Sequence, residues 1–507
     1  MMEKFYSQLM ERQGKILDVI KNVTLTHEQK VMALAKNAEN FLSVIDLPED
    51  FADMMESGII CDLGEGQAPY APRYIVPDYE KLMTEGCKFL RLDPPRDLYE
   101  AVNTLLIFYK HVPSVTHFPV YIGNIDYLLE PFITDEAEAK KIIKNFLLHV
   151  DRTISDSFCH ANIGPRATKA GRIILEVERE LQNSTPNITL KYDPDITPDD
   201  FALECIKTAL NCAKPSFANH KMYDKEFKDK YAIASCYNGL KIGGGAYTLS
   251  RLILKKIAER SVSKEDFIQK QLPHAIKVMC SFMDARIDFL INESKFFESD
   301  FLVKEGFIHR DNFTGMFGIV GMAETVNILL EKEGIQGRFG HSKAADDLGI
   351  EIMEVIEKLV GTHKNPYCEF SEGKFLLHGQ VGIDSDQGVS PATRIPIGEE
   401  PELYPHLRQA ALFHKYFPSG TGDIFPFDTT ANKNLDSILD ILKGAWDIDI
   451  RYLSIYSKDS DVIRITGYLV KKSDIEKLNQ GIAVQHDTVA LGLGAVKNCN
   501  ILQRKVR

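Results

Sequence analysis

The stretch DVIRITGYLV, residues 461–470, decides the fold of this 507-residue chain. Branched apolar residues alternate with polar ones along it, and this alternation predicts a β-strand. Gly467 lies in the middle of the stretch, where a side chain would otherwise pack. A glycine inside a strand loses packing and costs conformational entropy, so it usually marks a bulge or a close approach to the backbone. We therefore predict that another group lies against the backbone at Gly467.

A second informative stretch is YAIASCYNGL, residues 231–240. The run YAIA predicts a short strand, and Cys236 follows it and leads into the glycine-rich segment GLKIGGGAY. A single cysteine is usually an inert core residue. A cysteine between a strand and a glycine-rich loop, however, is well placed to be presented at the tip of a barrel. Cys236 is therefore a candidate for chemistry.

The two stretches together resemble glycyl radical enzymes. RITGY, residues 464–468, fits the R-[VI]-x-G-Y signature of that class and has its usual place near the carboxyl end. KPSFANHKMYDKEFKDKYAIASC, residues 214–236, is similar to the segment that leads into the reactive cysteine of pyruvate formate-lyase and its relatives. FTGMFGIVGMAETVNIL, DQGVSPATRIPIG and HLRQAALFHKYFPSGTGDIFPF resemble segments of the anaerobic ribonucleotide reductases. The whole pattern is most similar to the YjjI-type glycyl radical enzymes.

In this class a glycine carries an organic radical. Loss of its α-hydrogen leaves a radical delocalised over the neighbouring amide groups, and the absence of Cβ lets that carbon flatten and a reactant approach. The resemblance implies that Gly467 stores the radical and that Cys236 forms a thiyl radical, which abstracts hydrogen from a small-molecule substrate. It also implies a homodimer and activation by a separate radical S-adenosylmethionine enzyme, to which the S-adenosylmethionine and the iron–sulfur cluster belong. No metal is expected on this chain.

Helical patterns alternate with short strand-like runs, which predicts an α/β fold, and a barrel is the natural closed form at this length. The resemblance implies a ten-stranded α/β barrel wrapped by helices, with the loops of Cys236 and Gly467 meeting inside. We divide the chain into a catalytic barrel body, residues 1–395, and a carboxyl-terminal glycyl radical region, residues 396–507. Helices are predicted at residues 249–260, 264–293 and 320–334, and a long connector at residues 384–427.

At three positions this sequence differs from known subfamilies of glycyl radical enzymes, and these differences limit the reactions it is expected to catalyse. Pyruvate formate-lyase has two adjacent cysteines, whereas Ser235 precedes Cys236 here, and a serine hydroxyl is a weak nucleophile without an activating base. Diol dehydratases and choline lyase carry a glutamate base two residues after the cysteine, whereas Asn238 can hold a hydroxyl or a carbonyl but cannot take a proton. Anaerobic reductases carry a four-cysteine zinc site near the carboxyl end, whereas only Cys499 follows Gly467. The substrate therefore stays open.

Six further residues have polar side chains and lie near these motifs in the sequence, so they are weaker candidates for active-site support. They are Ser235, Asn238, His220, Asp423, Asp386 and His378. His220 is a possible acid or base. The alternatives are ordinary structural roles, such as a turn for an aspartate and a core position for a histidine. Arg464 is expected to fix the glycine loop through hydrogen bonds, and Tyr468 to pack beside it.

Two alternatives to a small-molecule lyase or dehydratase stay open. One lies within the class, a reductase-like radical enzyme that acts on a nucleoside or nucleotide. The other lies outside it, a non-radical barrel that binds a phosphate or a nucleotide through KIGGG, residues 241–245. That loop lacks the G-K-[ST] ending and the G-x-G-x-x-G spacing of nucleotide-binding motifs.

The composition, 44% hydrophobic and 26% charged, is typical of a soluble globular protein. The net charge of −12 argues against nucleic-acid binding, which depends on clustered lysine and arginine. The amino-terminal segment lacks the apolar core of a secretory signal, and no uncharged apolar run is long enough for a membrane helix, so we expect a cytoplasmic protein. The nine cysteines form no C-x-x-C pair, so we expect free thiols and no zinc site.

Overall fold

The computed structural model describes residues 2–40, 44–66, 68–228, 230–380 and 387–507. In these ranges the α-helices are α1 Met2–Lys21, α2 His27–Glu39, α3 Phe51–Glu56, α4 Tyr79–Glu85, α5 Leu98–Tyr109, α6 Ile125–Leu129, α7 Glu136–Thr153, α8 Lys169–Leu181, α9 Asp199–Cys212, α10 His220–Phe227, α11 Leu254–Arg260, α12 Lys264–Asp266, α13 Leu272–Asn292, α14 Phe296–Ser299, α15 Phe301–Lys304, α16 Met322–Lys332, α17 Lys343–Thr362, α18 Leu403–His414, α19 Leu435–Trp446, α20 Lys472–Asn479 and α21 Thr488–Asn498. The β-strands are β1 Ile60–Cys61, β2 Tyr74–Val76, β3 Tyr121–Asn124, β4 His160–Ile163, β5 Asn187–Tyr192, β6 Ser216–Asn219, β7 Tyr231–Ala234, β8 Asn238–Lys241, β9 Gly244–Ile253, β10 Phe313–Val320, β11 Leu376–Gly379, β12 Asp423–Phe427, β13 Tyr452–Ser457, β14 Val462–Arg464 and β15 Leu469–Lys471.

Most of these strands belong to two sheets. The first has six strands in the order β12-β13-β6-β5-β4-β3, and β3 to β6 run parallel to one another. The second contains β1, β2, β9, β10 and β11, of which β9, β10 and β11 are parallel. Every residue of β5, β9 and β10 is buried, as expected for strands of a parallel sheet with both faces covered. The predicted α/β fold is confirmed.

Among the helices that connect the parallel strands, α7 and α8 are amphipathic and begin after a side-chain cap. α7 begins after Asp135, whose carboxylate accepts a hydrogen bond from the backbone N–H of Glu138. The buried face of this helix includes Ile143, Phe146 and Leu147. Helix α7 packs on α8, and α8 packs on α9, so this layer of helices covers the first sheet.

Two antiparallel hairpins stand apart from the sheets. We name β7 and β8 with the turn between them the cysteine hairpin (residues 231–241), and β14 and β15 with their turn the glycine hairpin (residues 462–471). Strand β7 contacts β3 and β4 of the first sheet, whereas β8 contacts β9 of the second. Asn162 of β4 secures β7 through two hydrogen bonds with the backbone of Ile233, of 2.8 and 2.9 Å. The cysteine hairpin therefore lies between the two sheets.

The glycine hairpin packs in an apolar cluster of its own. This cluster is separate from the main core and includes Ile463, Val470, Ile475 and Val489. Helices α20 and α21 both contact β15. The segment that carries Gly467 is thus supported mainly by the helices that follow it in the chain.

The prediction that residues 461–470 form one strand is wrong. Strand β14 ends at Arg464 and pairs it with Leu469, so the chain reverses between these two residues. The alternation of apolar and polar residues continues across the turn, because both arms of the hairpin bury one face. Gly467 consequently lies in the turn, where it can be presented to another part of the chain.

Two further predictions of local structure are wrong. The helix predicted at residues 249–260 starts only at Leu254, because residues 244–253 form β9, which pairs with β10 and with β1 and β2. The connector predicted at residues 384–427 contains α18 and β12 in its described part. Its glycines and prolines flank these elements, and the apolar residues between them pack. None of the helices in the described ranges is both long enough and apolar enough to cross a membrane.

Candidate active site

The tip of the cysteine hairpin is fixed by contacts with both sheets. Ser235 adopts a left-handed conformation with φ of 59°, and its backbone N–H donates to the carbonyl oxygen of Val120 at 3.2 Å. The hydroxyl of Tyr452 donates to the carbonyl oxygen of Cys236 at 3.3 Å. The hydroxyl of Tyr237 donates to a backbone carbonyl of β11 at 2.6 Å. These contacts hold the Cys236 backbone in one place.

The glycine hairpin is held by a chain of hydrogen bonds between side chains and backbone. The Asn187 amide donates to the carbonyl oxygen of Gly467 at 2.8 Å. Arg464 donates in turn to the Asn187 side-chain oxygen at 3.0 Å and to the carbonyl oxygen of Ala213 at 2.8 Å. Arg504 donates to the carbonyl oxygen of Arg464 at 2.7 Å. Arg464, expected to fix the glycine loop through hydrogen bonds, thus reaches Gly467 only through Asn187.

Gly467 and Cys236 are in direct contact. A Cβ atom built on Gly467 would overlap the Cβ and Sγ atoms of Cys236 and would lie 2.9 Å from its Cα. The φ angle of Gly467 lies outside the left-handed region, so its backbone conformation alone does not require glycine. The absence of a side chain is required by the close approach of the thiol. The group predicted to lie against this backbone is the Cys236 side chain.

The thiol of Cys236 is protonated at neutral pH. The residue is 4% exposed, and burial raises the pKa of its thiol to about 11, although the hydroxyl of Ser235 and three arginines oppose the shift. A thiolate is the form that attacks electrophiles and binds metals. A buried, protonated thiol against a backbone carbon is instead suited to the transfer of a hydrogen atom.

Asn238 lies opposite Ala234 in the cysteine hairpin, two residues beyond Cys236. The residue is buried, and neither its amide nitrogen nor its amide oxygen has a hydrogen-bond partner in the part of the chain that the structure describes. An unsatisfied buried polar group costs about 1–3 kcal/mol. An amide with a free donor and a free acceptor, two residues after the reactive cysteine, can bind a hydroxyl or a carbonyl of a ligand.

His378 of β11 approaches the cysteine hairpin from the second sheet, and Gln380 directly follows this strand. The imidazole of His378 lies 5.6 Å from the ring of Tyr237, and its Nδ1 is 3.4 Å from the carbonyl oxygen of Ser419. Burial lowers the pKa of His378 to about 3, so the ring is neutral at neutral pH. The side-chain oxygen of Gln380 is buried without a hydrogen-bond partner among the described residues. His378 therefore adds polar atoms near the site without adding charge.

Asp423 is the centre of a fully bonded cluster. His406 and His414 lie 3.4 and 3.3 Å from its two carboxylate oxygens. The other ring nitrogen of His414 accepts from the backbone N–H of Arg451, and that of His406 accepts from Arg507, so both rings carry their proton toward Asp423. Although burial opposes the charge, these hydrogen bonds hold the pKa of Asp423 well below its usual range. Asp423 is thus a bonded carboxylate and not a free acid or base.

Of the other predicted residues, His220 lies away from the two turns and Tyr468 lies beside one of them. His220 contacts the Tyr231 hydroxyl through Nδ1 at 2.8 Å, at the base of the cysteine hairpin rather than at its tip. The ring of Tyr468 packs 5.0 Å from that of Phe158, beside the glycine turn, as the sequence suggested. Asp386 lies outside the described residues.

The glycines of the KIGGG loop serve the packing of backbones. A Cβ on Gly245 would overlap the carbonyl oxygen of Tyr74 in the neighbouring strand, and one on Gly244 would lie 2.5 Å from the Cβ of Asn312. The space above these glycines is therefore filled by protein and does not form a cradle for phosphate. Among the described residues there is also no grouping of three histidine, cysteine or carboxylate side chains suited to hold a metal ion.

Sequence reasoning missed several residues that build the site. Asn187 and Arg504 hold the glycine turn, and Tyr452 holds the carbonyl of Cys236. Asn187 is 280 positions away from Gly467 along the chain, and no local pattern around it marks a functional residue. The one available signal was a polar residue at the start of a buried strand, where an asparagine is unusual.

Comparisons of the sequence give a consistent result. The family model described as "Glycyl radical enzyme YjjI-like" matches residues 25–507. A Haemophilus influenzae protein described as uncharacterized is 47% identical over 498 residues, which are 97% of this chain and 97% of that protein. The Escherichia coli protein YjjI, also described as uncharacterized, is 42% identical over 500 residues, with 98% and 96% of the two chains covered.

Solved structures agree with the fold. The glycerol-bound B12-independent glycerol dehydratase from Clostridium butyricum superimposes with a TM-score of 0.67 at 13% identity, over 97% of this chain and 88% of that one. The anaerobic ribonucleotide reductase from Thermotoga maritima, in complex with dATP and CTP, gives a TM-score of 0.64 at 12% identity, over 94% and 90% of the chains. At such identities the likeness shows that this chain shares the α/β fold of these enzymes. By sequence and by fold together, this chain belongs to the YjjI-like family of glycyl radical enzymes.

Proposed function

We propose that this protein is an oxygen-sensitive enzyme in which Gly467 stores a radical and Cys236 delivers it to a small-molecule substrate. The observation that carries the proposal is the contact between these two residues, in which a Cβ on Gly467 would overlap the thiol. Hydrogen-atom transfer needs the donor and acceptor atoms in contact, and this contact provides it.

The proposed cycle conserves atoms and electrons. A radical S-adenosylmethionine activase, which brings its own iron–sulfur cluster, removes one α-hydrogen atom from Gly467. The Cys236 S–H bond then breaks, its hydrogen atom returns to the Gly467 α-carbon, and a thiyl radical remains. The thiyl radical takes a hydrogen atom from a substrate carbon, which restores S–H and leaves a substrate radical. After rearrangement, the product radical takes that hydrogen atom back.

The polar residues near the thiol position the substrate in this proposal. Asn238 offers a donor and an acceptor that have no partner among the described residues, so it can hold a hydroxyl or carbonyl next to the attacked carbon. His378 is neutral and also lies near the tip of the cysteine hairpin. Because neither Asn238 nor Ser235 can act as a base at neutral pH, a reaction that needs a proton acceptor there is disfavoured.

We further propose that residues 396–507 form a glycyl radical region that moves away from a body of residues 1–395 during activation. Gly467 is buried, and a buried glycine is unreachable for another enzyme without such a motion. We also propose a homodimer, on the resemblance to the class, and a reducing cytoplasm, since the nine cysteines are free thiols.

Electron paramagnetic resonance after anaerobic activation tests the radical. The protein is incubated with a radical S-adenosylmethionine activase, and release of 5′-deoxyadenosine is measured to show that activation was attempted. Wild-type protein should give a glycyl doublet, and Gly467→Ala should give none. Gly361→Ala, which has open space around its new Cβ, is the matched control and should keep the doublet. Release of 5′-deoxyadenosine without a doublet in the wild type would overturn the proposal.

A further inference from the structure

A second buried polar site lies against strand β9 of the second sheet. It contains two arginines and one glutamate, whose side chains are between 3% and 8% exposed. Arg73 lies 3.1 Å from one carboxylate oxygen of Glu65, and the Nε atom of Arg286 lies 2.9 Å from the other. Two cations therefore share one anion away from water.

The carboxylate of Glu65 has no capacity left for further partners. Besides the two arginines, it accepts hydrogen bonds of 2.6 Å from the hydroxyl of Thr248 and from the backbone N–H of Leu249. The arginines, in contrast, have spare donors. Nε of Arg73 and one terminal nitrogen of Arg286 have no hydrogen-bond partner among the described residues. One positive charge and at least two N–H groups are left over, and an uncompensated buried charge is costly.

Both arginines line a cavity of about 60 Å³. One water-sized group needs roughly 10–15 Å³, so the cavity holds about four to six such groups. That is the size of a carboxylate or a phosphate group and too small for a nucleotide. Lys36 and Glu39 of α2 line the outer part of the cavity with opposite charges, so the excess positive charge remains.

The cavity is connected to the reacting thiol through a short stretch of backbone. The carbonyl oxygen of Arg73 accepts from the N–H of Val115 at 3.3 Å, and five residues later the carbonyl of Val120 accepts from Ser235 at 3.2 Å. This backbone segment therefore links the wall of the cavity to the tip of the cysteine hairpin.

We propose that Arg73 and Arg286 bind a carboxylate or a phosphate group of the substrate. An arginine fork matches the oxygens of either group, and one bound monoanion would neutralise the excess charge. That the bound anion is part of the substrate rests on the proposed function. The anionic end of the substrate would be held by the arginines, and an uncharged carbon of the same molecule would be directed toward Cys236. The substrate class is then an anionic small molecule and not a free diol or an uncharged nucleoside.

Calorimetric titration of the non-activated protein tests the anion site independently of any radical. The probes are inorganic phosphate and acetate, each measured at constant ionic strength against chloride, with glycerol as the uncharged probe. We expect saturable binding of at least one anion and none of glycerol. The tighter anion identifies the preferred group. Absence of saturable binding by both anions would overturn the proposal.

Substitution of the arginines locates the binding. Arg73→Gln and Arg286→Gln should each weaken anion binding by about tenfold or more, the loss expected for a hydrogen bond to a charged group. Arg310→Gln, an exposed arginine bound to Glu369, is the matched control and should bind as the wild type does. If Arg73→Gln does not fold, Arg73→Lys keeps the charge and should weaken binding without abolishing it. Wild-type affinity in Arg73→Gln and Arg286→Gln would overturn the proposal, whereas a missing glycyl doublet would overturn only the radical function.

Discussion

At the scale of single residues, Gly467 is constrained by its neighbour rather than by its own backbone angles. Its φ would suit other residues, but the thiol of Cys236 occupies the space of a side chain. The contact joins a protonated sulfur to the only type of backbone carbon without Cβ. The two residues that the motifs single out, Gly467 and Cys236, are thus in contact although they are 231 positions apart in the chain.

Cys236→Ala should separate storage of the radical from its delivery. We expect the variant to give a glycyl doublet after activation but to show no turnover, because no thiol is left to take the radical. In D₂O the wild-type doublet should collapse, since the thiol exchanges its hydrogen with solvent and returns deuterium to Gly467, whereas the variant should keep its doublet. The matched control is Cys205→Ala, a buried cysteine of α9, which should behave as the wild type does. Collapse of the doublet in Cys236→Ala would show that another group delivers the hydrogen.

Asn238→Leu should make the protein more stable and inactive. The asparagine amide is buried without partners among the described residues, and an apolar side chain of similar size removes this cost, which is about 1–3 kcal/mol. The measurement is the free energy of unfolding in denaturant. Asn327→Leu is the matched control and should be destabilised, because the Asn327 side chain accepts a hydrogen bond of 2.9 Å from Phe339. A stability loss in Asn238→Leu as large as in the control would show that its amide is bonded within the protein.

His378 should make the stability of the protein fall in acid. Burial lowers the pKa of its ring to about 3, below the value of about 6.5 in an unfolded chain. The unfolded state therefore binds the extra proton first, so stability is full above pH 6.5 and is lost as the pH falls toward 3. Between pH 6.5 and pH 5, the free energy of unfolding of His378→Gln should fall by about 1–2 kcal/mol less than that of the wild type. Denaturant unfolding at the two pH values measures this difference. The control is His149→Gln, an exposed histidine of α7, and an acid dependence unchanged in His378→Gln would contradict the prediction.

At the scale of elements, local patterns predicted the helices well and the strands less well. The helix predicted at residues 320–334 is found as α16, Met322–Lys332, because its apolar residues recur at helical spacing. Strand β9 was partly assigned to a helix, because its burial on both faces removes the alternation that marks a strand. The Gly467 and Cys236 pair was found through motifs. Asn187 and Arg73 were not, since their roles depend on contacts that only the folded chain creates.

The glycine hairpin should loosen when the bond from Arg504 is removed. Arg504 is buried and donates to the carbonyl oxygens of Arg464 and Ile465, next to the turn. Arg504→Met keeps the apolar length of the side chain but removes both hydrogen bonds. The free energy of local opening at residues 465–468 should then be about 1–3 kcal/mol lower. Backbone amides at these residues should therefore exchange hydrogen with solvent faster than in the wild type. Lys505→Met, which removes only a pair with the exposed carboxylate of Glu402, is the control, and equal protection in both variants would contradict this role.

At the scale of the whole molecule, the segment after Gly467 is bound to distant parts of the chain. The hydroxyl of Ser157 donates to the carbonyl oxygen of Leu469 at 2.7 Å, and the N–H of Asp487 donates to the carbonyl of Ser155 at 2.7 Å. Gln29 of α2 donates to the carbonyl oxygen of Val484 at 3.2 Å. Helices α20 and α21 add the apolar cluster they share with the glycine hairpin. Any outward motion of this region must break all these contacts together.

Exposure of the activated enzyme to air should therefore cut the chain without releasing the fragment. Oxygen adds to a carbon radical, so we expect cleavage at Gly467 and a carboxyl-terminal piece of about residues 468–507. Because its contacts with the body remain, the two pieces should elute together under native conditions and separate only in denaturant. Denaturing electrophoresis and mass spectrometry before and after native gel filtration measure both events. Activated Gly467→Ala should stay intact, and an uncut chain from a wild-type sample with a measured glycyl doublet would contradict the storage of the radical at this residue.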